Sequence, residues 1–242
     1  SLKSCCEGGF AGDDCSQCVR FVKESGVKTP DGLTWHTAYS TIQEAVDSAN
    51  DAVLIESNGI DECEIWVAQG TYVIPATIKI YSNISILGGF AGEGDKRDND
   101  PLLTVLDGSV NKMDNIIDAT GASNVVIRSL KFFGNVNNGT GDNYAGALYV
   151  SQASNFVINS VIFDSNGAVG ASADNGYEGR GGAVAVIESD VTFSDCEFKG
   201  NNAQNGERPG GLSTNASAYG GAVFVYLGNV TFSNSTFFSN TV

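Results

Sequence analysis

Methionine, histidine and proline are scarce in this sequence, and long apolar runs are absent. The 242 residues include one methionine, one histidine and four prolines, against 30 glycines. This composition is typical of many short strands joined by tight turns and argues against a helical protein. No run of eighteen apolar residues occurs, so no membrane-spanning segment is predicted.

Basic residues are also few: 13 lysines and arginines stand against 28 aspartates and glutamates, a formal net charge of −15. Such a chain repels phosphate backbones and anionic lipids, which excludes nucleic acid and membrane surfaces as expected partners. The acidity favours solubility, with weak calcium binding at the surface as the alternative. No cofactor is predicted. The chain shows no signal peptide and begins with Ser1, so we expect a mature or excised segment.

The dominant feature is an internal repeat. Four segments align without gaps: NVVIRSLKFFGN, NFVINSVIFDSN, DVTFSDCEFKGN and NVTFSNSTFFSN. They begin at residues 124, 155, 190 and 229, which are 31, 35 and 39 residues apart, so a constant unit alternates with loops that lengthen. A second apolar segment, GALYV, GAVAV or GAVFV, precedes three of the four units.

The aligned units contain columns of distinct chemistry. The three apolar columns are Val125, Phe156, Val191 and Val230; Ile127, Ile158, Phe193 and Phe232; and Phe132, Phe163, Phe198 and Phe237. Polar residues alternate with them, which is the periodicity of a strand. One unit cannot bury its apolar face alone, whereas stacked coils with parallel strands about 4.8 Å apart can. The sequence therefore predicts an all-β fold, a right-handed parallel β-helix.

Asparagine ends every unit, at Asn135, Asn166, Asn201 and Asn240. Because asparagine tolerates the left-handed conformation, we expect these residues in the turns between strands. Stacked amides can also hydrogen-bond to one another, so we expect a ladder of side chains along the solenoid.

An N-terminal cap is predicted before the repeats. The stretch Ser40-Thr41-Ile42-Gln43 is typical of a capping box, and it opens a helix with one apolar face. The residues of that face are Ile42, Ala45, Val46 and Ala49. Solenoids need polar terminal caps, so this helix is expected to cover the first coil. The predicted parts are a disulfide-rich leader at 1–26, the cap at 27–52 and the β-helix at 53–242.

The pentapeptide GGFAG occurs twice, at Gly8–Gly12 and at Gly88–Gly92. The second copy follows the apolar strand predicted at Ile84–Leu87, and its two glycines are expected to turn the chain so that Phe90 covers the stack. A phosphate-binding loop would need a helix directly after the glycines. Acidic residues and further glycines follow instead, so neither copy is predicted to bind phosphate.

The first copy lies in a cysteine cluster, CCEGGFAGDDCSQC, at residues 5–18. The segment from Cys6 to Cys15 resembles the closing loop of an EGF-like or laminin-type EGF module, although Cys5 directly precedes Cys6 and the upstream half of the module is absent. The resemblance implies a Cys6–Cys15 disulfide and hence an oxidising, extracellular location rather than a zinc site. Partners for Cys5 and Cys18 stay open.

The remaining cysteines are expected to differ from each other. Cys63 is a candidate partner for the leader, which it would pin against the first coil. Cys196 aligns with Leu130, Val161 and Ser235 in an inward column, so it is predicted to be a buried free thiol.

The repeats themselves resemble those of chlamydial polymorphic outer-membrane proteins, in the motifs GGA(V/I) and F-x-x-N. Related repeats occur in extracellular β-helix proteins of bacteria and protists, and the resemblance covers roughly residues 31–242. It implies surface display, adhesion or a wall-like structure. The insertion before the strand EIWV and the cysteine-rich leader depart from that pattern.

Sequons for N-glycosylation occur at Asn83, Asn138, Asn215, Asn229 and Asn234. Asn138 and Asn215 lie in the variable loops and are the favoured acceptors. Asn229 aligns with a polar column that is expected to be a structural ladder, which makes it a poorer acceptor.

Parallel β-helices also carry pectate lyases and polygalacturonases, so a polysaccharide-cleaving enzyme is the alternative function. A hydrolase needs two or three carboxylates at one cleft, and a lyase needs calcium-binding carboxylates with an Arg or Lys base. The candidates Asp118, Asp164, Asp195 and Glu197 form no cluster in the repeat pattern. His36 has no accompanying nucleophile motif, so no catalytic residue is predicted.

The sequence therefore predicts a non-enzymatic, extracellular structural or adhesive glycoprotein, with a polysaccharide-binding or polysaccharide-cleaving protein as the alternative. The last coil has no predicted cap, so its edge is expected to pair head-to-tail with another copy. A surface carbohydrate or a protein receptor is the other expected partner.

Overall fold

The computed structural model describes residues 18–55, 60–111, 113–172, 176–207 and 216–242. Cys5, Cys6, Cys15 and Asn215 lie outside the described residues, and the predictions for them stay predictions. No helix among the described residues is long and apolar enough to cross a membrane.

The described residues form short strands and one helix. In chain order these are β1 Cys18–Val22, α1 Ile42–Val53, β2 Cys63–Ala68, β3 Gly70–Val73, β4 Ile78–Lys79, β5 Ile84–Phe90, β6 Thr104–Asp107, β7 Ile117–Thr120, β8 Val125–Phe133, β9 Val136–Asn137, β10 Asn143–Tyr144, β11 Leu148–Ser151, β12 Phe156–Asp164, β13 Gly167–Val169, β14 Gly179–Arg180, β15 Val184–Ile187, β16 Asp190–Ser194, β17 Glu197–Lys199, β18 Asn202–Gln204, β19 Val223–Tyr226, β20 Asn229–Ser233 and β21 Thr236–Phe238.

These strands build the predicted parallel β-helix. A long sheet has the strand order β1-β2-β5-β8-β12-β16-β20, so the chain adds one strand of this sheet per coil. A second sheet has the order β19-β15-β11-β7-β4, and a third has the order β18-β13-β9. The strand pairs within these sheets are parallel, as stacked coils require.

The predicted repeat register is confirmed. Phe156 pairs with Val125 and Val191, and Phe198 pairs with Phe163 and Phe237. Phenylalanine rings of successive coils stack inside the solenoid, with centroids 4.8 Å apart between Phe163 and Phe198 and 4.5 Å apart between Phe198 and Phe237. The periodic apolar columns thus become one continuous core.

The asparagine ladder is also present, but its members do not occupy the left-handed positions. The backbone N–H of Asn166 donates to Oδ1 of Asn201 at 3.0 Å, and that of Asn201 donates to Oδ1 of Asn240 at 3.0 Å. The residue before each asparagine has the positive φ instead. These residues are Gly134, Ser165, Gly200 and Ser239. The turn therefore bends one residue earlier, which leaves each asparagine pointing inward along the stack.

Helix α1 buries the predicted apolar face. Its capping box begins at Thr41, one residue later than the Ser40 expected from the sequence. The side chain of Thr41 accepts from the backbone N–H of Glu44, and the Glu44 carboxylate accepts from the backbone N–H of Thr41. The helix packs against β1, β2 and β4, and its apolar side chains join the core cluster. It therefore covers the first coils, as a cap is expected to do.

Two further details differ from the expectations. The chain does not turn at Gly88 and Gly89, since β5 continues through them to Phe90. The register between β5 and β2 shifts at these two glycines, which form a β-bulge. In addition, β1 lies within the segment predicted as a leader and pairs with β2 in the long sheet. The solenoid sheet therefore begins before the predicted cap.

A disulfide joins Cys18 to Cys63, and both residues are 1% exposed. It connects the first two strands of the long sheet, where the two residues are direct register partners. Cys196 is the free cysteine of the described part of the chain and is buried, as predicted.

Candidate functional site

The candidate site is a groove of about 620 Å³ beside the second sheet. Its described lining is mostly aromatic. The lining residues are Tyr144, Tyr149, Glu178, Arg180, Ile187, Tyr219, Phe224 and Tyr226. We call this surface the aromatic groove.

The first column of the aromatic groove comes from equivalent positions on three successive coils. Tyr144 pairs with Arg180 in the sheet formed by β10 and β14, and Arg180 forms a parallel bridge with Tyr219. Each of these residues directly precedes a small residue and then the Gly-Ala pair that leads into a strand of the second sheet. Their alignment therefore follows from the stacking of the coils.

The second column lies on the strands of the second sheet. Tyr149, Ala185 and Phe224 are register partners there. The middle position has only a methyl group, which leaves space for the side chain of Arg180. Its guanidinium carbon lies 4.9 Å from the ring centroid of Tyr144 and 5.9 Å from that of Phe224. Cation–π attraction thus holds the guanidinium between two rings.

Two carboxylates surround the guanidinium of Arg180. Its Nη1 lies 3.2 Å from a carboxylate oxygen of Asp142, and its Nη2 donates to Glu178. Burial lowers the pKa of the guanidinium, but the hydrogen bond with Glu178 and the neighbouring negative charges outweigh this effect and raise it. Arg180 is therefore a fixed cation with most of its donors engaged.

Tyr144 presents a protonated phenol to the aromatic groove. Burial raises the pKa of this phenol above its ordinary value, although the charge of Arg180 acts in the opposite direction. The phenol oxygen accepts a hydrogen bond from Arg180. The O–H of Tyr144 donates to no described residue and so can donate to a ligand.

The free ring surface of the aromatic groove is substantial. Tyr219 is 44% exposed and Tyr226 is 53% exposed. Aromatic faces combined with a few fixed polar groups suit a ligand that has an apolar face and a polar edge, which is the chemistry of a sugar ring.

The four carboxylates proposed from the sequence do not form a catalytic cleft. Asp164 accepts from Lys131 at 2.7 Å, and Lys199 lies 2.9 Å from Glu197 and 3.6 Å from Asp164. Burial raises the pKa of Asp164, but the hydrogen bonds from Lys131 and Ser165 lower it below its usual range. These two carboxylates are thus neutralised by lysines on the outer face of the long sheet.

The other two carboxylates have structural partners. Asp195 accepts hydrogen bonds from the side-chain amides of Asn159 and Asn234. Asp118 accepts from the backbone and hydroxyl of Thr120. Asp118 is the register partner of Tyr149, so it alone of the four lies next to the aromatic groove. The described residues contain no group of three side chains that could hold a metal ion.

His36 is exposed in the loop before α1. The neighbouring Trp35 ring packs against Phe21 and Phe90, with centroids 4.7 Å and 5.9 Å apart, and its Nε1 donates to the carbonyl of Gly94. This loop therefore covers an aromatic cluster on the outside of the first coils, and Phe90 is part of that cluster.

The asparagines of three described sequons form side-chain hydrogen bonds with residues of neighbouring coils. The amide nitrogen of Asn229 donates to Asp190 at 2.8 Å, that of Asn234 donates to Asp195, and Oδ1 of Asn83 accepts from Asn124 at 2.9 Å. Asn138 is exposed in the loop between β9 and β10. Glycosylation stays a prediction for all of them.

Comparison with known proteins identifies the fold. No protein-family model matches the chain, and neither does any curated protein sequence. A rhamnogalacturonan lyase structure is similar with a TM-score of 0.52 and 11% identity, over 90% of this chain and 56% of that chain. This chain thus spans about half the length of that neighbour. At this identity the similarity shows the parallel β-helix fold alone.

Two more distant structures have TM-scores below 0.5. A putative glycosyl hydrolase from Parabacteroides merdae gives a TM-score of 0.40 at 16% identity, over 81% of this chain and 88% of that chain. A pectin methylesterase from Aspergillus niger gives 0.30 at 17% identity, over 93% of this chain and 78% of that chain.

The sequence interpretation did not find the aromatic groove, because the residues of its first column lie in the loops between the aligned units. A signal was nevertheless present: the strings YAGA, RGGA and YGGA place Tyr144, Arg180 and Tyr219 at the same distance before each Gly-Ala pair.

Proposed function

We propose that this protein is a secreted β-helix protein that binds a polysaccharide in the aromatic groove. The observation that carries the proposal is the alignment of Tyr144, Arg180 and Tyr219 on three successive coils beside the rings of Tyr149 and Phe224. The row places rings on the first and third coils and Arg180 between them, so its binding groups extend along the solenoid. A linear polymer can contact all three coils at once.

The fold and the disulfide support this proposal. The rhamnogalacturonan lyase with the same fold is named for a polysaccharide substrate. The Cys18–Cys63 disulfide favours an oxidising compartment, where polysaccharides of walls and surfaces are found. Polysaccharide binding in that location is compatible with the adhesive or wall-like role that the resemblance of the repeats implies.

Binding is favoured over cleavage by the state of the carboxylates. Asp142 and Glu178 both pair with the same guanidinium, and the carboxylates of Asp164 and Glu197 pair with lysines. Acid–base catalysis of glycoside hydrolysis requires a carboxylic acid and a separate carboxylate that face the scissile bond. In the described lining of the aromatic groove the carboxylate is that of Glu178, which pairs with Arg180. The neighbouring Asp118 accepts hydrogen bonds from Thr120.

Affinity electrophoresis against a panel of immobilised polysaccharides tests the proposal. We expect the wild-type chain to bind, Phe224→Ala to weaken that binding and Tyr81→Ala to retain it. Tyr81 is a suitable control because it is 37% exposed and lies outside the aromatic groove. Reducing ends are measured in the same incubations. Release of reducing ends would establish the cleaving alternative. If none of the polysaccharides retards the wild-type chain, the proposal is refuted.

A further inference from the structure

The charge of the aromatic groove limits which polysaccharide it can accept. Glu178 and Arg180 are the charged members of its described lining, and Asp142 lies against the same guanidinium at 3.2 Å. Two carboxylates thus surround one guanidinium, so this cluster has a formal charge of −1. The whole chain, including this cluster, has a net charge of −15.

A uronic-acid polymer is a poor fit to such a surface. Its carboxylates would need Arg180, but Nη1 already contacts Asp142 and Tyr144, and Nη2 already donates to Glu178. Each incoming carboxylate would also approach two like charges in a partly buried site, where water screens charges less well than in bulk solvent. The acidic chain as a whole repels polyanions at longer range.

A neutral sugar finds suitable partners at the same positions. The carboxylates of Asp142 and Glu178 can accept hydrogen bonds from sugar hydroxyls, and the O–H of Tyr144 can donate one. The rings of Tyr219 and Phe224 offer flat apolar surface for the C–H face of a sugar. Recognition here needs no charge on the ligand.

Resting on the proposed function, we infer that the aromatic groove binds a neutral polysaccharide, in contrast to the uronate polymers that an accessible arginine would favour. The chain of the ligand runs along the solenoid axis, because rings stand on the first and third coils on either side of Arg180. These two coils are two parallel-strand spacings of about 4.8 Å apart. Tyr144 lies on the first of three coils, and Tyr219 lies on the third.

The experiment compares binding of neutral polymers with binding of polygalacturonate, at low and at high salt. Neutral candidates are β-glucan, galactan, mannan and xylan. We expect the wild-type chain to bind at least one neutral polymer, with an affinity that depends little on salt. We expect it not to bind polygalacturonate. Phe224→Ala should weaken the neutral binding by about tenfold or more, since loss of a stacked ring removes a contact of that order.

A charge variant tests the reason for the preference. The double variant Asp142→Asn with Glu178→Gln frees the guanidinium of Arg180, so it should gain polygalacturonate binding that falls with added salt. The matched control, Asp51→Asn with Glu93→Gln, changes the net charge equally at exposed positions far from the groove in the sequence. This control variant should gain no polygalacturonate binding.

Three results separate failure of this inference from failure of the proposed function. Wild-type binding of polygalacturonate in preference to every neutral polymer, abolished by Arg180→Gln, overturns the inference and leaves polysaccharide binding intact. Equal gains by the double variant and its control also overturn it, because net charge would then be the cause. Absence of binding to any of the polymers overturns the proposed function itself.

Discussion

At the scale of single residues, the glycine of each Gly-Ala pair that leads into a strand of the second sheet is required by the close approach of neighbouring backbones. A Cβ on Gly182 would lie 2.1 Å from the carbonyl oxygen of Gly221, and one on Gly221 would lie 2.3 Å from that of Thr241. Gly146 is similarly crowded, with the backbone N of Gly167 2.5 Å from its ideal Cβ. The second glycine of the GGA motif is therefore explained by packing between coils.

Gly182→Ala should lower the free energy of unfolding by about 2–3 kcal/mol, because the added methyl forces the coils apart. Gly167→Ala is the matched control, since its ideal Cβ meets its nearest atoms at 3.4 Å, an ordinary contact. We expect the control to change the free energy by less than about 1 kcal/mol. Chemical denaturation of both variants measures the difference, and similar effects at the two sites would contradict the packing explanation.

The thiol of Cys196 should make stability depend on alkaline pH. Burial raises the pKa of this thiol from 9.0 to about 11. Between pH 9 and about 11 the thiol of the unfolded chain loses its proton while the thiol of the folded chain keeps it. The stabilisation by the neutral thiol is therefore complete below pH 9 and is lost as the pH rises to about 11. The free energy of unfolding of the wild type, relative to Cys196→Ala, should therefore fall across this range by up to about 2 kcal/mol.

The same thiol should resist alkylation in the native protein at neutral pH and react fully after denaturation, because it is 2% exposed and donates to the carbonyl of Ser194. Rapid alkylation of the folded protein would contradict the buried position of Cys196.

At the scale of elements, the buried asparagine ladder joins the turns of successive coils. Asn166 is 1% exposed. Its Oδ1 accepts from the backbone N–H of Asn135, and its Nδ2 donates to the carbonyl of Phe132 at 3.1 Å. The ladder begins at Asn135, whose buried Oδ1 has no hydrogen-bond partner among the described residues. The preceding coil has Gly108 next to Asn135 and so cannot extend the ladder.

Asn166→Ala should lower the free energy of unfolding by about 2–3 kcal/mol, because it leaves buried backbone groups of neighbouring coils unpaired. Ser154→Ala is the control: it removes an exposed ladder contact, in which the hydroxyls of Ser154 and Ser123 lie 3.1 Å apart. Water replaces that contact, so the control should cost less than about 1 kcal/mol. If both variants lose the same free energy of unfolding, burial does not determine how much a ladder contact stabilises the fold.

At the scale of the whole molecule, the disulfide anchors the N-terminal end of the solenoid. It closes a loop with a sequence separation of 45 residues. Replacing Cys18 and Cys63 by alanine should cost about 3–4 kcal/mol in the chain-entropy model. Because coils contact mainly their neighbours, hydrogen exchange should accelerate in β1, α1 and β2 and change little in β16 and β20. Uniform acceleration along the chain would contradict this local effect.

The head-to-tail association expected from the sequence stays a prediction. In the coil of β19, β20 and β21, Phe237 stacks on Phe198 and is 47% exposed, and Phe232 is 39% exposed. An exposed strand edge with apolar rings can pair with another strand. Sedimentation velocity should show concentration-dependent growth that Phe237→Ser reduces and Tyr81→Ser does not. A monomer at all concentrations would refute the association.

Much of the fold was predictable because its information is local and repeated. Alternation of apolar and polar residues predicted the strands, and the aligned positions of Phe132, Phe163, Phe198 and Phe237 predicted their register. Stacking in register buries Phe132, Phe163 and Phe198 together and places Phe237 on Phe198, so residues aligned in the sequence are neighbours on successive coils. The apolar face of α1 was predictable for the same reason.

Only the tertiary structure determined the features that depend on neighbours from other coils. The bulge at Gly88 and Gly89 arises where β5 meets β2, and the positive φ before each ladder asparagine arises from how the turns stack. The pairing of Cys18 with Cys63 required the position of β1 beside β2. None of these features follows from the repeat alignment alone.

The aromatic groove depends in the same way on distant parts of the chain. Tyr144, Arg180 and Tyr219 belong to loops of unequal length, so their spacing in the sequence is irregular although the structure stacks them. Glu178 lies two residues before Arg180 in the sequence, whereas Asp142 reaches the same guanidinium from the preceding coil, so the full cluster forms only after the coils stack. The sequence by itself determined the solenoid, because periodic burial is a local pattern; the groove was decided by tertiary stacking, because its chemistry arises between coils.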